Sequence, residues 1–237
     1  MSGFKAHYFR IGRDVYNDDA APSEMEKPRR KIEPWLSAIF QSEHFNVLLG
    51  SGFTSAVAAT AKTGGVGMDT VKFPEQFSAQ IDAHAKATAK ELGRGAPNIE
   101  DQIRAALALA LGLRILGTTD KNATESAKTL TDAISGVLKQ LLGSILKAEQ
   151  DLKAKFEEET DDGIAARHIL ESFLLSCASR AATRERLHLF TTNYDRLIEY
   201  GCDLIGLRIV DRFVGTLRPL FRSSRIEVDL HYNPPGI

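Results

Sequence analysis

Residues 45–55, FNVLLGSGFTS, decide the predicted fold. Their apolar first half stops at a glycine, and its length and composition are typical of a buried parallel strand rather than a helix. The run Gly50-Ser51-Gly52 then predicts a tight turn, in which glycines allow positive φ and let backbone N–H groups approach an anion closely. A helix that begins near Ser55 would add its N-terminal dipole, so a pyrophosphate would fit here. A plain tight turn is the alternative interpretation.

A second strand is predicted at residues 187–191, LHLFT, and a polar turn follows it. Thr192, Asn193 and Asp195 stand at the carboxyl end of this strand, where a helix is predicted over 194–205. Ligands of open α/β sheets bind at that edge, so these side chains are candidate binding groups. The alternative is that Asn193 or Asp195 only caps the helix.

Nearly the whole segment from about 73 to 183 has helical periodicity. Within it, Asn98 and Asp101 have the spacing of a capping box, and Asp161 or Asp162 is expected to cap the fourth helix. The third and longest helix, 129–156, either covers the sheet or forms an oligomer surface. Strands on both sides of this block predict an α/β fold, a Rossmann-like parallel sheet with a large helical insertion.

The regions outside this core have weaker patterns. Residues 1–32 are predicted to form an N-terminal arm without a core of its own, and residues 33–237 to form the ligand-binding domain. A short helix is expected at 34–41. Small strands are expected at 207–210, 212–214 and 225–230.

Five arginines form a basic cluster towards the C-terminal end, and its role is open between two interpretations. A solvated face or a subunit contact is favoured, because neither aromatic residues interleaved with the arginines nor a known binding motif supports a nucleic-acid site. Contact with nucleic acid phosphates is the alternative. The cluster consists of Arg208, Arg212, Arg218, Arg222 and Arg225.

Composition indicates the compartment. No apolar stretch approaches the roughly 20 residues that a membrane span needs, and the polar N-terminus lacks a signal-peptide pattern. Cys177 and Cys202 both lie in apolar helical surroundings, which predicts reduced core thiols rather than a disulfide. His188 lies among apolar residues and is expected in a core or an interface. We therefore expect a cytoplasmic protein that does not engage a membrane.

The two polar motifs together resemble those of the sirtuin-like family, whose pattern is G-A-G-x-S followed later by T-x-N-x-D. Gly50, Ser51, Gly52 and Thr54 correspond to the first motif, with Ser51 in place of the alanine and Thr54 in place of the serine. Thr191, Asn193 and Asp195 correspond to the second. The likeness covers about residues 33–237. It is strongest to a divergent bacterial branch found in anti-phage defence proteins, in particular the partner of a HerA-type ATPase.

The resemblance implies that NAD binds as a substrate. It implies that the pyrophosphate lies on Gly50, Ser51, Gly52, Phe53 and Thr54, and that Thr191 and Thr192 also belong to the NAD site. Asn193 and Asp195 are the implied catalytic residues. Asn193 would contact the nicotinamide ribose or position a water, and Asp195 would hold the nicotinamide carboxamide. The implied reaction is hydrolysis of NAD to nicotinamide and ADP-ribose by a homo-oligomeric defence effector.

Two departures from the family pattern limit what the resemblance implies. The deacylases of the family carry paired C-x-x-C zinc ligands, which this chain does not contain, so no zinc and no protein deacylation are expected. The family's general base is a histidine followed by glycine. His231 is the one histidine downstream of the second motif, no glycine follows it, and a structural or exposed role is expected for it. This pattern predicts a chain truncated at its C-terminal end.

Two alternatives to hydrolysis are therefore kept. The first is a module that binds NAD or ADP-ribose without turnover and serves assembly. The second is a DNA-binding or nuclease component of the same defence complex, which would use the arginine cluster.

Overall fold

A computed structural model describes residues 8–11, 13–17, 22–65, 67–179, 186–215 and 218–223. His231, Arg225 and the strand expected at 225–230 lie outside the described residues. The described residues form two compact units. We call residues within 1–50, 169–192 and 198–237 the strand unit, and residues within 51–168 and 193–197 the helical unit.

The strand unit contains every described strand. Antiparallel strands β1 (Tyr8–Ile11) and β2 (Asp14–Asn17) are followed by helix α1 (Pro22–Phe40). Strand β3 (Asn46–Leu49) pairs in parallel with β4 (His188–Thr191), and β5 (Phe213–Val214) pairs in antiparallel fashion with β6 (Leu220–Phe221).

The parallel pair confirms both strands that the sequence predicts and supports an α/β description at a coarse level. Leu48 lies opposite Phe190 and Leu49 opposite Thr191. Each sheet among the described residues has two strands, so an extended Rossmann-like sheet is not seen in this part of the chain.

The helical unit contains helices α2 (Ser51–Thr60), α3 (Glu75–Glu91), α4 (Ile99–Leu116) and α5 (Lys121–Glu157). Helix α6 (Asp161–Ala178) begins in this unit and ends in the strand unit, and α7 (Leu197–Leu204) does the same. Helices α3 to α6 occupy the segment that the sequence predicts as helical. Helices α3, α4 and α5, with the loop before α3, share a core that combines large apolar side chains with alanines that let helices approach closely: Phe73, Phe77, Ile81, Ile99, Ala105, Ala106, Ala110, Leu130, Ile134 and Val137.

A buried amide fastens the loop before α3 to α4. Gln102 is almost fully buried; its Oε1 accepts the Val71 N–H at 2.7 Å, and its Nε2 donates to the Val71 carbonyl at 2.9 Å and to Asp82 Oδ1 at 2.7 Å. These bonds satisfy polar atoms that would otherwise be buried at a cost.

The predicted capping box at the start of α4 is confirmed. Asn98 Oδ1 accepts the Asp101 N–H at 3.0 Å, and Asp101 Oδ2 accepts the Asn98 N–H at 3.1 Å. The buried Asp101 carboxylate also pairs with the Arg94 guanidinium.

Several predicted element boundaries are wrong. Helix α1 begins at Pro22 rather than at 34, because residues 24–33 are rich in strong helix formers that continue the helix through its prolines. Thr160 caps α6 in place of Asp161 or Asp162: its Oγ1 accepts the Gly163 N–H at 3.3 Å. Among the described residues, 207–210 form no strand, whereas β5 falls within the strand expected at 212–214 and β6 is unpredicted.

None of the described helices is long and apolar enough to cross a membrane.

Candidate functional site

Two motifs far apart in the sequence meet through side-chain hydrogen bonds in the helical unit. Thr54 Oγ1 donates to Asp195 Oδ2 at 2.9 Å, and Asn193 Nδ2 donates to Thr54 Oγ1 at 3.0 Å. All three side chains are half-buried. The hydroxyl of Thr54 therefore acts as donor to one partner and acceptor to the other, which fixes its orientation. We call these three residues the Thr54 cluster.

The elements that carry the cluster start at its residues. Thr54 lies in the first turn of α2, and Asp195 precedes α7. Asp195 Oδ1 accepts the Leu197 N–H at 3.2 Å, so this carboxylate also caps the start of α7. The capping interpretation of Asp195 is therefore correct, but it accounts for one oxygen only. The capped turn also explains why α7 begins at Leu197 rather than at residue 194.

The loop between Asn193 and Leu197 is held by two further carboxylates of the helical unit. The Tyr194 hydroxyl donates to Glu100 Oε1 at 2.7 Å. Glu149 accepts three bonds from Arg196: the backbone N–H at 2.8 Å, Nη2 at 2.9 Å and Nε at 3.4 Å.

Sequence reasoning missed Glu149; it noted residues 97–101, which include Glu100, as a segment that the sirtuin-like family often has near its pocket, but it did not predict the contact with Tyr194. Glu100 lies in a segment whose spacing indicates helix capping and gives no sign of a contact with Tyr194. Glu149 lies in a charged stretch of α5 that looks like an ordinary exposed face. Both partners are brought to the loop by helix packing, so no local pattern could identify them.

These contacts shift two pKa values. The hydrogen bond to Glu100 raises the pKa of Tyr194, and burial and the charge of Glu100 act in the same direction. Burial alone would raise the pKa of Glu149, but the side-chain and backbone hydrogen bonds from Arg196, together with its charge, lower it overall. At neutral pH the Tyr194 hydroxyl is therefore protonated and donates its hydrogen bond, and the Glu149 carboxylate is ionised and accepts its hydrogen bonds.

Helix α2 begins at Ser51, four residues earlier than predicted, so Ser51, Gly52, Phe53 and Thr54 form its first turn. Backbone N–H groups of a first turn lack intrahelical acceptors and carry a partial positive charge. This turn contains no acidic residue that would repel an anion.

Gly50 and Gly52 do not adopt the positive φ that glycine allows, and Ser51 and Gly52 lie in the helix rather than in the predicted turn. The chain needs no left-handed residue here because the helix starts directly after the strand. A Cβ added at Gly50 or Gly52 would meet no described atom within 4 Å. Neither backbone conformation nor packing within the described chain therefore requires glycine, whereas close approach of a ligand to the backbone would.

The remaining candidate residues lie in the strand unit, at the carboxyl ends of the parallel pair. Gly50 follows Leu49 in β3, and Thr191 ends β4 as the register partner of Leu49. Thr192 donates its N–H to the Leu49 carbonyl at 3.4 Å. Gly50, Thr191 and Thr192 are all exposed, as binding groups at this edge should be.

The strand unit also contains two cysteines and a histidine with reactive side chains, and these three side chains are buried or half-buried. Cys177 and Cys202 are buried free thiols, as predicted, and burial raises the pKa of each. Raised pKa values leave both as thiols at neutral pH, which are poor nucleophiles. His188 is half-buried in β4 opposite Asn46, in agreement with an interior position.

The arginine cluster is exposed at each of its described members. Arg212 and Arg222 lie beside each other at the β5–β6 hairpin, where the Arg222 N–H donates to the Arg212 carbonyl at 2.7 Å. The next residues along the two strands form an exposed aromatic pair, which sequence reasoning missed: the rings of Phe213 and Phe221 meet edge to face at 5.7 Å.

Comparison with protein-family models finds none that matches this chain, and comparison with curated proteins finds no matching sequence.

Proposed function

We propose that this chain binds NAD and hydrolyses the bond between nicotinamide and ribose. The observation that carries the proposal is the Thr54 cluster, because Thr54, Asn193 and Asp195 are polar residues of the two motifs that resemble the sirtuin-like family. Their mutual hydrogen bonds give each side chain one orientation before any ligand arrives. Preorganised polar groups of this kind are what catalysis of a charged transition state needs.

In the proposed reaction, the C–N bond between ribose C1′ and the nicotinamide nitrogen breaks, and its electron pair neutralises the pyridinium. A water oxygen forms the new bond to C1′ and releases one proton to the solvent, which gives nicotinamide, ADP-ribose and H⁺. We assign Asn193 to the nicotinamide ribose or to that water, and Asp195 to the nicotinamide carboxamide. The negative charge of Asp195 would also stabilise an oxocarbenium-like ribose.

The first turn of α2 is the proposed pyrophosphate site. The N–H groups of Ser51, Gly52 and Phe53 lack acceptors within the helix, and together with the absence of a side chain at Gly52 they suit a dianion. The N–H of Thr54 has its acceptor within the helix, so the place of Thr54 in the pyrophosphate site rests on the family resemblance. The assignment of Gly50, Thr191 and Thr192 to the same site rests on the family resemblance.

The biological setting that we propose is bacterial anti-phage defence, with NAD depletion as the toxic outcome. The resemblance supports this setting and a HerA-type ATPase as the activating partner. It also supports a homo-oligomer and a Rossmann-like sheet larger than the described strand pair. The composition of the chain supports a cytoplasmic location, and the lack of paired C-x-x-C motifs supports a site without zinc.

The test follows nicotinamide release from NAD by the purified chain, with and without a co-expressed ATPase partner. We expect nicotinamide and ADP-ribose in equal amounts from the wild type and none from Asn193→Ala. Asn122→Ala, which removes an exposed amide on α5, is the matched control and should keep the wild-type rate. Saturable NAD binding without nicotinamide release would contradict the hydrolase. It would indicate a module that binds NAD for assembly and does not turn it over.

The arginine cluster supports a second candidate function, binding of single-stranded nucleic acid. Arginines placed side by side repel each other unless an anion lies between them, and exposed aromatic rings provide surfaces on which bases stack. Arg212, Arg222, Phe213 and Phe221 supply these two features on one hairpin.

Fluorescence anisotropy with a labelled oligonucleotide tests this candidate. Affinity should fall steeply as salt rises, and should fall further in Arg212→Ala and in Phe221→Ala. Arg104→Ala, which changes an exposed arginine of α4, is the control for general loss of positive charge. Negligible affinity at low salt would remove this function.

A further inference from the structure

Glu149 of α5 contacts both the main chain and the side chain of one loop residue. Its Oε1 accepts the Arg196 backbone N–H at 2.8 Å and its Oε2 accepts Nη2 at 2.9 Å. The Glu149 side chain is 19% exposed, whereas the Arg196 side chain is 71% exposed. Both hydrogen bonds lie at the surface, and Glu149 contributes the less exposed side chain of the pair; its charge strengthens the bond from the backbone N–H.

The N–H that Glu149 accepts belongs to the peptide unit attached directly to the Cα of Asp195. A peptide unit is planar, so fixing the direction of its N–H also fixes the orientation of its carbonyl and restricts the ψ angle of Asp195. The Asp195 carboxylate is then held at both oxygens, by Thr54 on one and by the Leu197 N–H on the other. Backbone and side chain of Asp195 are thus fixed together.

The other carboxylate of the loop acts differently. Glu100 accepts a hydrogen bond from the Tyr194 hydroxyl, at the far end of an exposed side chain. A bond so far from the main chain leaves the backbone of the loop free to rotate. Of these two carboxylates, Glu149 is therefore the one that determines the loop backbone.

We propose that Glu149 is a positioning residue that holds Asp195 in place through the backbone N–H of Arg196. Its consequence for catalysis rests on the proposed NAD hydrolysis. Glu149 touches neither substrate nor reacting atoms in this role and acts through Asp195.

A series of variants separates the backbone contact from the guanidinium contact. Glu149→Ala removes both and should lower kcat for NAD roughly 10- to 100-fold with KM nearly unchanged, the size expected when a reacting group is slightly misplaced. Glu149→Gln keeps an oxygen that can accept the backbone N–H and should recover most of kcat. Arg196→Ala removes the guanidinium alone and should cost less than Glu149→Ala, and the double variant should be no worse than Glu149→Ala.

Asp151→Ala is the matched control. Asp151 lies two residues after Glu149 on α5 and forms an exposed ion pair with Lys147. It should leave kcat and KM unchanged. A loss of kcat in Glu149→Ala no larger than in Asp151→Ala would overturn the proposal. So would equal losses in Glu149→Gln and Glu149→Ala, because the backbone contact would then have no special role.

Amide hydrogen exchange of residues 193–197 tests the positioning independently of turnover. Faster exchange in Glu149→Ala than in wild type and Asp151→Ala, at unchanged global stability, supports the proposal, and unchanged exchange overturns it. If the wild type neither binds nor cleaves NAD, the proposed function fails, and this exchange result alone decides whether Glu149 holds the loop. If Glu149→Ala does not fold, the exchange rates of Glu149→Gln and Arg196→Ala are compared instead. The proposal requires slow exchange of residues 193–197 in Glu149→Gln, and fast exchange in that variant overturns it.

Discussion

At the scale of the residue, Thr54 joins the two motifs because a hydroxyl can donate and accept at once. Asp195 needs a donor and Asn193 Nδ2 needs an acceptor, and Thr54 Oγ1 serves both. A serine could do the same, which is why threonine at this position is compatible with the family pattern. An apolar side chain could not.

Thr54→Val should therefore leave one oxygen of Asp195 and the amide of Asn193 without their partner. We expect a loss of about 1–3 kcal/mol in the free energy of unfolding, the usual cost of a half-buried polar group deprived of its bond. Thr54→Ser should stay within about 1 kcal/mol of the wild type. Urea denaturation measures both, and equal stability of Thr54→Val and Thr54→Ser would show that the hydroxyl bonds contribute nothing.

The lowered pKa of Glu149 makes one part of the stability depend on pH. Because the pKa is below 4.5 in the folded state, the ion pair with Arg196 contributes stability above about pH 4.5 that is lost as pH falls through the folded pKa. Wild type should therefore lose more free energy of unfolding in this acid range than Glu149→Gln. Denaturation in urea at a series of pH values measures the difference, and parallel curves would contradict it.

At the scale of the element, the helical unit is held by side chains whose partners lie on other segments. Gln102 shows this most clearly, since one amide satisfies both backbone groups of Val71 and one oxygen of Asp82. The packing of α3 and α4 depends on this amide as well as on their apolar faces.

Gln102→Ala should cost roughly 2–4 kcal/mol of unfolding free energy, because it leaves buried polar groups unsatisfied and creates a cavity. Gln140→Ala, an exposed glutamine on α5, is the matched control and should change stability by less than about 0.5 kcal/mol. Thermal and urea unfolding of both variants test this. Equal stability of the two would show that the loop at Val71 does not depend on the amide.

In the strand unit, Gly201 allows α7 to approach α6. A Cβ at this position would lie 2.5 Å from Leu174 Cδ1 and 3.0 Å from Leu170 Cγ, both of which are buried. Gly201→Ala should therefore destabilise by about 1–3 kcal/mol through overpacking.

The control for Gly201 is Gly143→Ala on the exposed side of α5, where a Cβ meets nothing within 4 Å of the described chain. Gly143→Ala should raise the free energy of unfolding by about 0.5–1 kcal/mol, because alanine restricts the unfolded chain and favours the helix. A stabilising effect of Gly201→Ala would mean that α6 and α7 have room to separate.

At the scale of the whole molecule, the sequence predicts what local patterns determine. Apolar runs bounded by glycine and polar residues predict β3 and β4, and the capping box predicts the start of α4. The spacing of apolar residues predicts helices α3 to α6. The start of α1 and the partners of Gln102, Tyr194 and Arg196 are not predictable in this way, because they depend on competition between segments and on packing between residues far apart in sequence.

In the candidate site, too, some residues are predicted by local sequence patterns and others depend on packing between distant segments. Thr54, Asn193 and Asp195 are identified from their motifs, and their contact was expected only from the family resemblance. Glu149, which holds the loop, carries no sequence signal because one glutamate among many on a charged helix looks like any other. Contacts of this kind depend on which helix faces meet, and that is a property of the folded chain.

Equilibrium binding of NAD, measured by calorimetry on the full chain, tests the central claim most directly, because binding needs no activating partner. The account predicts saturable binding by the wild type that is abolished in Gly52→Asp, which puts a negative charge into the first turn of α2. Gly143→Asp adds the same charge to an open position on α5 and should bind as the wild type does. No saturable binding by the wild type, or equal affinity of Gly52→Asp and wild type, would contradict the account.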